Sequence, residues 1–459
     1  MRHASYLLAF LVSIRCANAV DGTNPPMAAS PAEEQLPRAM HSQMKDLPSI
    51  TVGRNDADLI GSDERALQAA LDYIAGLGGG TVLIGPGEFV MHDSLHLRSF
   101  VTVRGTPGAT ILRKAKGVSS SLAMDGDYGE EQVTVRDPAG FKVGYGITVW
   151  DKQSGGFHTT VGRIIGANGN TFAFNTALNA DCLVANEAMA ATVFPVVSGY
   201  NLQGASVEDL IIDGNKQENV PLNGCRGGGV FLYRGFGAVV RRCTVRNFNG
   251  DGISFQQSND VIVEGCVSEG NAGLGMHPGS GSQRPVVRGC IARNNGQDGL
   301  FLCWRVRHGL FEKNLLENNG GYGISIGHKD TDNVLQENEI RGNHEDGVFF
   351  RNETEPMAGH RNRIERNTIE NNGHGVASAG ILVRGETRDL VFRENVIRDT
   401  RPAEARSQLV GIRIEEGAGN VLLEGNRIDA QKEVEDLRKT LATPSEGQKE
   451  NQGRNTKLN

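Results

Sequence analysis

Between Gly321 and Asn333 the chain reads GYGISIGHKDTDN, and its second half crowds His328, Lys329, Asp330 and Asp332 into five residues. Polar turns of similar make-up recur at regular distances on either side: QQSND, GSGSQR, CWRVRH and RNETE. If the chain returns to the same place each time, Gln256, Gln257, Ser280, Trp304, Arg305, His328, Lys329, Asp330, Arg351, Asn352 and Glu353 fall into one column. Two chemistries fit such a column. Proton abstraction beside a carboxylate needs a base and a positive charge to steady the intermediate. Lys329, Arg305, His328, His277 or Tyr322 could be that base, with Arg351 as the neutralising cation. Glycosidic hydrolysis needs two carboxylates at a defined separation. Asp298 with Asp330 is the leading pair for it, and Glu353 the reserve. His277, Trp304, Arg305, Arg351, Asn352 and Glu353 are then the binding residues, since arginine forks match carboxylates and the mixture suits an anionic chain. Each cation also has Asp330, Asp332, Glu353 or Glu355 nearby in sequence. The same residues could therefore form a self-neutralised ion-pair ladder or ordinary solvated turns.

The elements that would stack these turns are visible as a repeat. Aligning RRCTV, EGCVS, RGCIA, EKNLL and QENEI puts Cys243, Cys266, Cys290, Asn314 and Asn338 in one evenly spaced column. Nine residues after each stands a glycine, Gly252, Gly275, Gly299, Gly323 and Gly347, opening a short alternating run. Looser copies follow at Asn367, Asn395 and Asn426. Alternation marks strands and the Asn-Gly clusters mark turns. Short strands repeating at this period fit one coil of a parallel β-solenoid; a propeller blade needs about 40 residues. Equivalent residues of successive coils then lie about 4.8 Å apart. The asparagines can bond side chain to side chain along the axis, and the cysteines in their column read as buried free thiols rather than disulfides. On the strand opened by each glycine, Ser254, His277, Phe301, Ser325 and Phe349 face outward while their apolar neighbours face the core. The outward phenylalanines either offer stacking surfaces to sugars or lie beneath a covering loop.

Around the coils, residues 1–19 read as an export signal ending at Ala17-Asn18-Ala19, 20–48 as a linker, and 49–128 as an N-terminal cap with the first coils. In the cap, Ser62 can start a helix whose face is Ala66, Leu67, Ala70, Leu71 and Ile74, ended by glycines from Gly76. Residues 129–200 break the period and read as a small inserted β subdomain. Coils continue over 201–430, and 431–459 is a polar tail with a helical pattern from Glu433 to Ala442. With a net charge of −7 the chain shows no basic excess of the kind nucleic-acid binding demands, and no later stretch has transmembrane length.

This arrangement resembles the pectate lyase superfamily of right-handed parallel β-helix proteins. Asp56 to Phe89, with ALQAALDYIAGLGGGTVLIGPGEF, looks like the N-terminal motif of its large bacterial branch. The resemblance implies an all-β fold, a single-stranded right-handed parallel β-helix with a capping helix, at about 24 residues per coil. It also implies a secreted enzyme, extracellular or periplasmic, cleaving or epimerising a polysaccharide that carries uronic acids. GYGISIG (Gly321–Gly327) is similar to the polygalacturonase motif Gly-His-Gly-Ile-Ser-Ile-Gly, and Arg351 sits where that family binds a substrate carboxylate. Tyr322 replaces the motif histidine, Gln297-Asp298 replaces an aspartate pair, and Leu274 stands where that family has a further aspartate. The alternative is a non-catalytic glycan-binding or structural surface protein, as a monomer or a side-by-side trimer. No metal ligand set is evident; calcium serves many pectate lyases, but DTDN (Asp330–Asn333) lacks the glycine and closing glutamate of a calcium loop.

Overall fold

The computed structural model describes residues 46–374 and 377–438. The expected export signal, most of the linker and the end of the tail lie outside them. One coil shows why the chain folds as it does. Val239–Arg241 is extended, Arg242 turns at φ 51°, Thr244–Arg246 is extended again, and Ile253–Gln256 forms the third strand. Each strand pairs in parallel with its equivalent one coil later. Val239 meets Ile262, which meets Val286, then Leu310, then Val334, the same even spacing as the cysteine and asparagine column. The result is a parallel β-helix. Among the described residues its three sheets hold thirteen, eleven and eleven strands. We call them sheets I, II and III in the order in which a coil meets them. The coil from Val334 to Arg363 is longer than those before it because the turn at Glu355–Met357 is looped out.

Alternation places one apolar set inside. Val240, Val263, Val287, Phe311 and Leu335 of sheet I are buried together with Val245, Ala292, Leu316 and Ile340 of sheet II. Ile253, Met276, Leu300, Ile324 and Val348 of sheet III complete the core. The corner between sheets I and II is a single left-handed residue in coil after coil, such as Arg242, Gly265, Gly289, Lys313 and Glu337. Such corners leave backbone groups that the next residue must satisfy. Asn338 does so with its whole amide. Its Oδ1 accepts from the backbone N and Nδ2 of Asn314 at 3.0 and 2.9 Å, and its Nδ2 donates to Phe311 O and Asn367 Oδ1 at 3.0 and 2.9 Å. The column runs on through Asn395 to Asn426. Its earlier members are Cys243, Cys266 and Cys290, buried thiols whose Sγ atoms donate to carbonyls, for example Cys290 to Arg288 O at 3.3 Å. The six cysteines from Cys182 to Cys303 are all free. A second ladder, Asn271–Asn295–Asn319–Asn343–Asn372, ends on Gln408.

Helix α1 (Glu64–Gly76) covers the first coil with Leu67, Ala70, Leu71 and Ile74. Its N-cap is Asp63, not Ser62, because the Asp63 carboxylate reaches Arg65 N at 3.1 Å. It ends before Gly78, Gly79 and Gly80, all at positive φ. The insert is a six-stranded antiparallel sheet built from Ser119–Ser121, Gln132–Thr134, Gly146–Trp150, Thr160–Asn168, Thr171–Phe174 and Met189–Ala191. It has its own core around Leu122, Ile147, Ile164 and Phe174. At the other end Lys432–Asp436 is a strand, not the start of a helix. It pairs Val434 with Ile412 on the open edge of sheet III, where backbone hydrogen bonds outweigh a weak helical pattern. No helix among the described residues is long and apolar enough to cross a membrane.

The ladder predicts a stability cost that ordinary surface asparagines do not carry. Asn338→Leu leaves the Phe311 carbonyl and the Asn314 backbone N–H without partners inside the core, and should cost about 3 kcal/mol in denaturant unfolding. A cost below about 1 kcal/mol would show that the ladder does not hold the coils together.

Candidate functional site

The outward face of sheet III gathers the chemistry. Ser198, Phe231, Ser254 and His277 stand in register on successive strands, and Phe301, Ser325 and Phe349 continue the column. The face points away from the core, as the alternation requires, yet Ser254, His277, Ser325 and Phe349 are buried. Arg351 lies on Ser325 and Tyr322 on Phe349, and two pieces of chain cover the other end of the face. The segment Leu222–Arg226 crosses Ser254 and Asp251: Ser254 Oγ donates to Gly224 O at 2.7 Å. Gly224 approaches so closely that a Cβ there would fall 1.7 Å from Asp251 Oδ2. The insert contributes the turn Gly156–His158, whose Phe157 carbonyl accepts from Arg226 Nε at 2.6 Å and whose ring meets Trp304 edge-on at 6.1 Å. A cleft of about 440 Å³ opens between Trp150 and Gly156 of the insert and Asn223, Asn249, Asp251 and Gln297 of the coils.

Asp251 is a residue that the sequence presents only as part of an Asp-Gly turn. Asp251, Asp298 and Asp346 do share a structural duty. One oxygen of each accepts from the backbone one coil on: Leu274 N at 3.0 Å, Tyr322 N at 2.9 Å and Ala379 N at 2.6 Å. The second oxygen of Asp251 does something else. It receives His277 Nδ1 at 2.7 Å, and both side chains are almost wholly buried. In the neutral ring this bond leaves the lone pair on Nε2. Nε2 is buried and has no hydrogen-bond partner among the described residues. The ring packs against the edge of Phe301 at 5.3 Å, and the Arg351 guanidinium lies over Phe301 at 4.5 Å. Burial lifts the Asp298 carboxyl to about 6, against the Tyr322 N–H and Arg351 which lower it. Tyr322 stacks on Phe349 at 4.2 Å, and burial pushes its hydroxyl up to about 12.

The charged turn at 327–333 divides into parts with different duties. His328 and Lys329 take left-handed backbone at φ 46° and 66°. Asp330 is fully buried and bonded to Val306 N at 2.9 Å, Gly327 N at 3.1 Å and Arg351 Nη2 at 3.1 Å. Burial raises it to about 7 despite Arg351. Asp330 is therefore a clamp inside the corner and does not face Asp298 as a hydrolytic partner. Arg351 is similarly committed: Nη1 donates to Ser325 Oγ at 2.8 Å and Nη2 to Leu302 O at 2.6 Å as well as to Asp330. It offers positive potential rather than an open fork. His328 lies flat on Trp304 at 4.9 Å and pairs with Glu353 at 3.1 Å, so one face of Trp304 is already covered. Burial and Arg351 hold His328 below its ordinary pKa. Lys329 and Arg305 make no ion pair among the described residues, while Asp332 pairs with Arg361. Asn352 and Glu353 line a separate hollow with Glu386, Glu415 and Glu416. The structure thus brings His277, Phe301, Arg351, Asp298 and Tyr322 to one face, with Trp304, His328 and Glu353 beside them. Among the described residues no group of three or more His, Cys, Asp and Glu side chains is arranged to hold a metal ion.

A model of the NosD family, described as periplasmic copper-binding protein, matches residues 202–397. No curated protein sequence matches the chain. Among solved structures, the A-module of the mannuronan C-5 epimerase AlgE4 from Azotobacter vinelandii is similar at a TM-score of 0.54 and 17% identity, covering 84% of this chain and 100% of that one. The A-module of AlgE6 from the same organism gives 0.48 and 15%, covering 84% and 99%. The Dettilon tailspike protein gp208 gives 0.50 and 13%, covering 81% and 64%. At these identities the likeness is one of fold, the parallel β-helix.

Two outcomes follow from the buried charges. Removing the guanidinium in Arg351→Ala strands Asp330 in the core and should cost about 3 kcal/mol in guanidinium unfolding. Adding Asp330→Asn should recover part of that loss, and a double variant no better than the single one would refute the clamp. Asp298 titrates higher folded, at about 6, than unfolded at 3.8. Between those values the folded state holds the proton that the unfolded state has lost, so stability falls as pH rises through that window. Asp298→Asn, which can still accept from Tyr322 N, should remove about 2 kcal/mol of that fall. An unchanged difference between unfolding at pH 4.5 and pH 7 would contradict it.

Proposed function

We propose that this is an exported carbohydrate-active protein that acts on an acidic polysaccharide by taking a proton from beside a uronate carboxylate, as a lyase or an epimerase. The observation that carries the reading is the His277 imidazole, held by the Asp251 carboxylate through Nδ1 at 2.7 Å so that Nε2, without a partner among the described residues, is the basic nitrogen. His277 is the base and Asp251 its positioning residue. Arg351, two side chains away across Phe301, supplies positive potential toward the developing enolate. Asp298, held near half-protonation at pH 6, stands two coils from Asp251 and can return a proton to the sugar or to the departing oxygen. Residues 223–226 must lift for a chain to reach Nε2, since the cleft reaches Asp251 but not His277. The AlgE4 module is by name an epimerase of mannuronan, a uronan, which agrees with this substrate class. Export agrees with the signal-like residues 1–19.

The raised Asp298 carboxyl also favours a second reading, hydrolysis with Asp298 as the acid. One experiment separates the readings. A panel of uronans is incubated in D2O and the products are weighed by mass spectrometry. Unsaturated ends indicate elimination, deuterium gained without cleavage indicates epimerisation, and added water indicates hydrolysis. His277→Ala should lower turnover by about 100-fold or more. Full turnover in that variant, or products bearing only added water, would overturn proton abstraction by His277. Retained glycan binding with no turnover in the unsubstituted chain would make this a binding protein.

A further inference from the structure

Arginines on this molecule are mostly spent. Along the outer surfaces of sheets I and II they pair with glutamates one coil away, as in Arg241–Glu264, Arg293–Glu269, Arg341–Glu317 and Arg398–Glu370. Sheet III differs where it meets the insert. Arg226 and Arg234 flank Tyr233, at 6.0 and 5.0 Å from its ring, and neither makes an ion pair among the described residues. Tyr233 continues to Tyr200 at 6.0 Å, and Tyr200 is 42% exposed. Tyr200 opens onto a hollow of about 260 Å³ between the first coils and the insert, lined also by Asp93, His96, Arg163, Asn175, Thr176 and Ser198.

We propose that this hollow is a remote subsite for an anionic sugar unit of the same chain that the His277 site acts on; the inference rests on that reading. Asp93 does not repel such a unit, because its carboxylate is held by His96 Nε2 at 2.8 Å and by Arg163 Nε. The Nη groups of Arg163 make no hydrogen bond among the described residues, and its side chain is one-third exposed. Ser198, bonded to His96 Nδ1 at 3.0 Å, together with Asn175 and Thr176 offers hydroxyl-matching groups. The hollow is in register with the base: Ser198, Phe231, Ser254 and His277 occupy consecutive strands of sheet III, and His96 precedes Ser198. Four strand spacings of about 4.8 Å put His96 roughly 19 Å from His277, the reach of about four sugar units. Tyr200 and Tyr233, with their unpaired arginines, form the track between. The insert interrupts the repeat where it can supply Arg163 to this end of the track.

The test is calorimetric titration of the full chain with oligouronates of two to eight units. Affinity should rise with length until both ends of the track are filled. Arg163→Ala should weaken the longest oligomers about ten-fold and leave dimers unchanged. Tyr200→Ala, which leaves the Arg163–Asp93 bond intact, should do the same and guards against a loosened insert. Unchanged length dependence in both variants, with turnover still lost in His277→Ala, would overturn the subsite alone. No affinity for uronates of any length in the unsubstituted chain would overturn the subsite together with the proposed function.

Discussion

The structure depends on a corner one residue long. Between sheets I and II the coils turn through a single left-handed residue, and for most residue types that conformation is unfavourable by about 1–2 kcal/mol. Lys313, Glu337 and Arg366 accept it because the next residue, Asn314, Asn338 or Asn367, bonds to the coils on both sides. With the corner so closed, every coil begins its second strand at the same height. Sequence positions one coil apart then become neighbours at the strand spacing. The same register runs down to the coils of Asp251 and His277, where Cys243, Cys266 and Cys290 take the asparagines' place at the corner and strand pairing sets Ser254 opposite His277.

That register helps explain how polar groups come to be buried outside the core. Sheet III has an apolar inner face, and its outer face is covered at Ser254 by Leu222–Arg226, at Ser325 by Arg351 and at Phe349 by Tyr322. Burial, beneath neighbouring coils as much as beneath the cover, removes water from carboxylates the coil geometry has already fixed. Asp298 and Asp346 respond by holding their protons to about 6, and Asp330 to about 7 beneath Arg351. Desolvation dominates in all three, since the hydrogen bonds and the arginine acting on them pull the other way. The outer surfaces of sheets I and II, left open, instead neutralise themselves with exposed Arg–Glu ladders of small individual worth.

Much of this architecture is legible from letters alone, and the reason is periodicity. The Cys–Asn column, the alternating strands and the inward and outward assignment of Ser254, His277, Phe301, Ser325 and Phe349 follow from spacing, and the registers agree with them. What spacing cannot carry is contact between parts outside the period. Nothing in the sequence says that Gly224 lies on Asp251, or that Phe157 reaches Trp304. Spacing therefore leaves open whether the outward face is bare or lies beneath a loop, and the structure covers it at Ser254 and Asp251. The same blindness makes Asp330 look like a free carboxylate. Its partners Val306, Gly327 and Arg351 belong to three coils, and only the bend of the corner turns its side chain inward. Local signals err by smaller margins: Asp63 rather than Ser62 caps α1, and the open edge of sheet III captures Lys432–Asp436 as a strand.

The covering explains a tension within the site. On the proposed function His277 is a base that must meet a polymer, yet it is 3% exposed. The elements above it are suited to moving. Leu222 is anchored by its backbone N–H on Asn249 O at 2.9 Å and by its side chain in the core, whereas residues 223–226, followed by Gly227, Gly228 and Gly229, are fastened to the face by Ser254 Oγ and to the insert by Arg226 Nε. Lifting residues 223–226 about Leu222 breaks the Ser254 and Arg226 hydrogen bonds, which an incoming chain of hydroxyls and carboxylates can replace. The rungs beneath, bonded coil to coil, stay in place. A rigid floor with a weakly tethered cover lets the same residues exclude water from the dyad when closed and admit a chain when open.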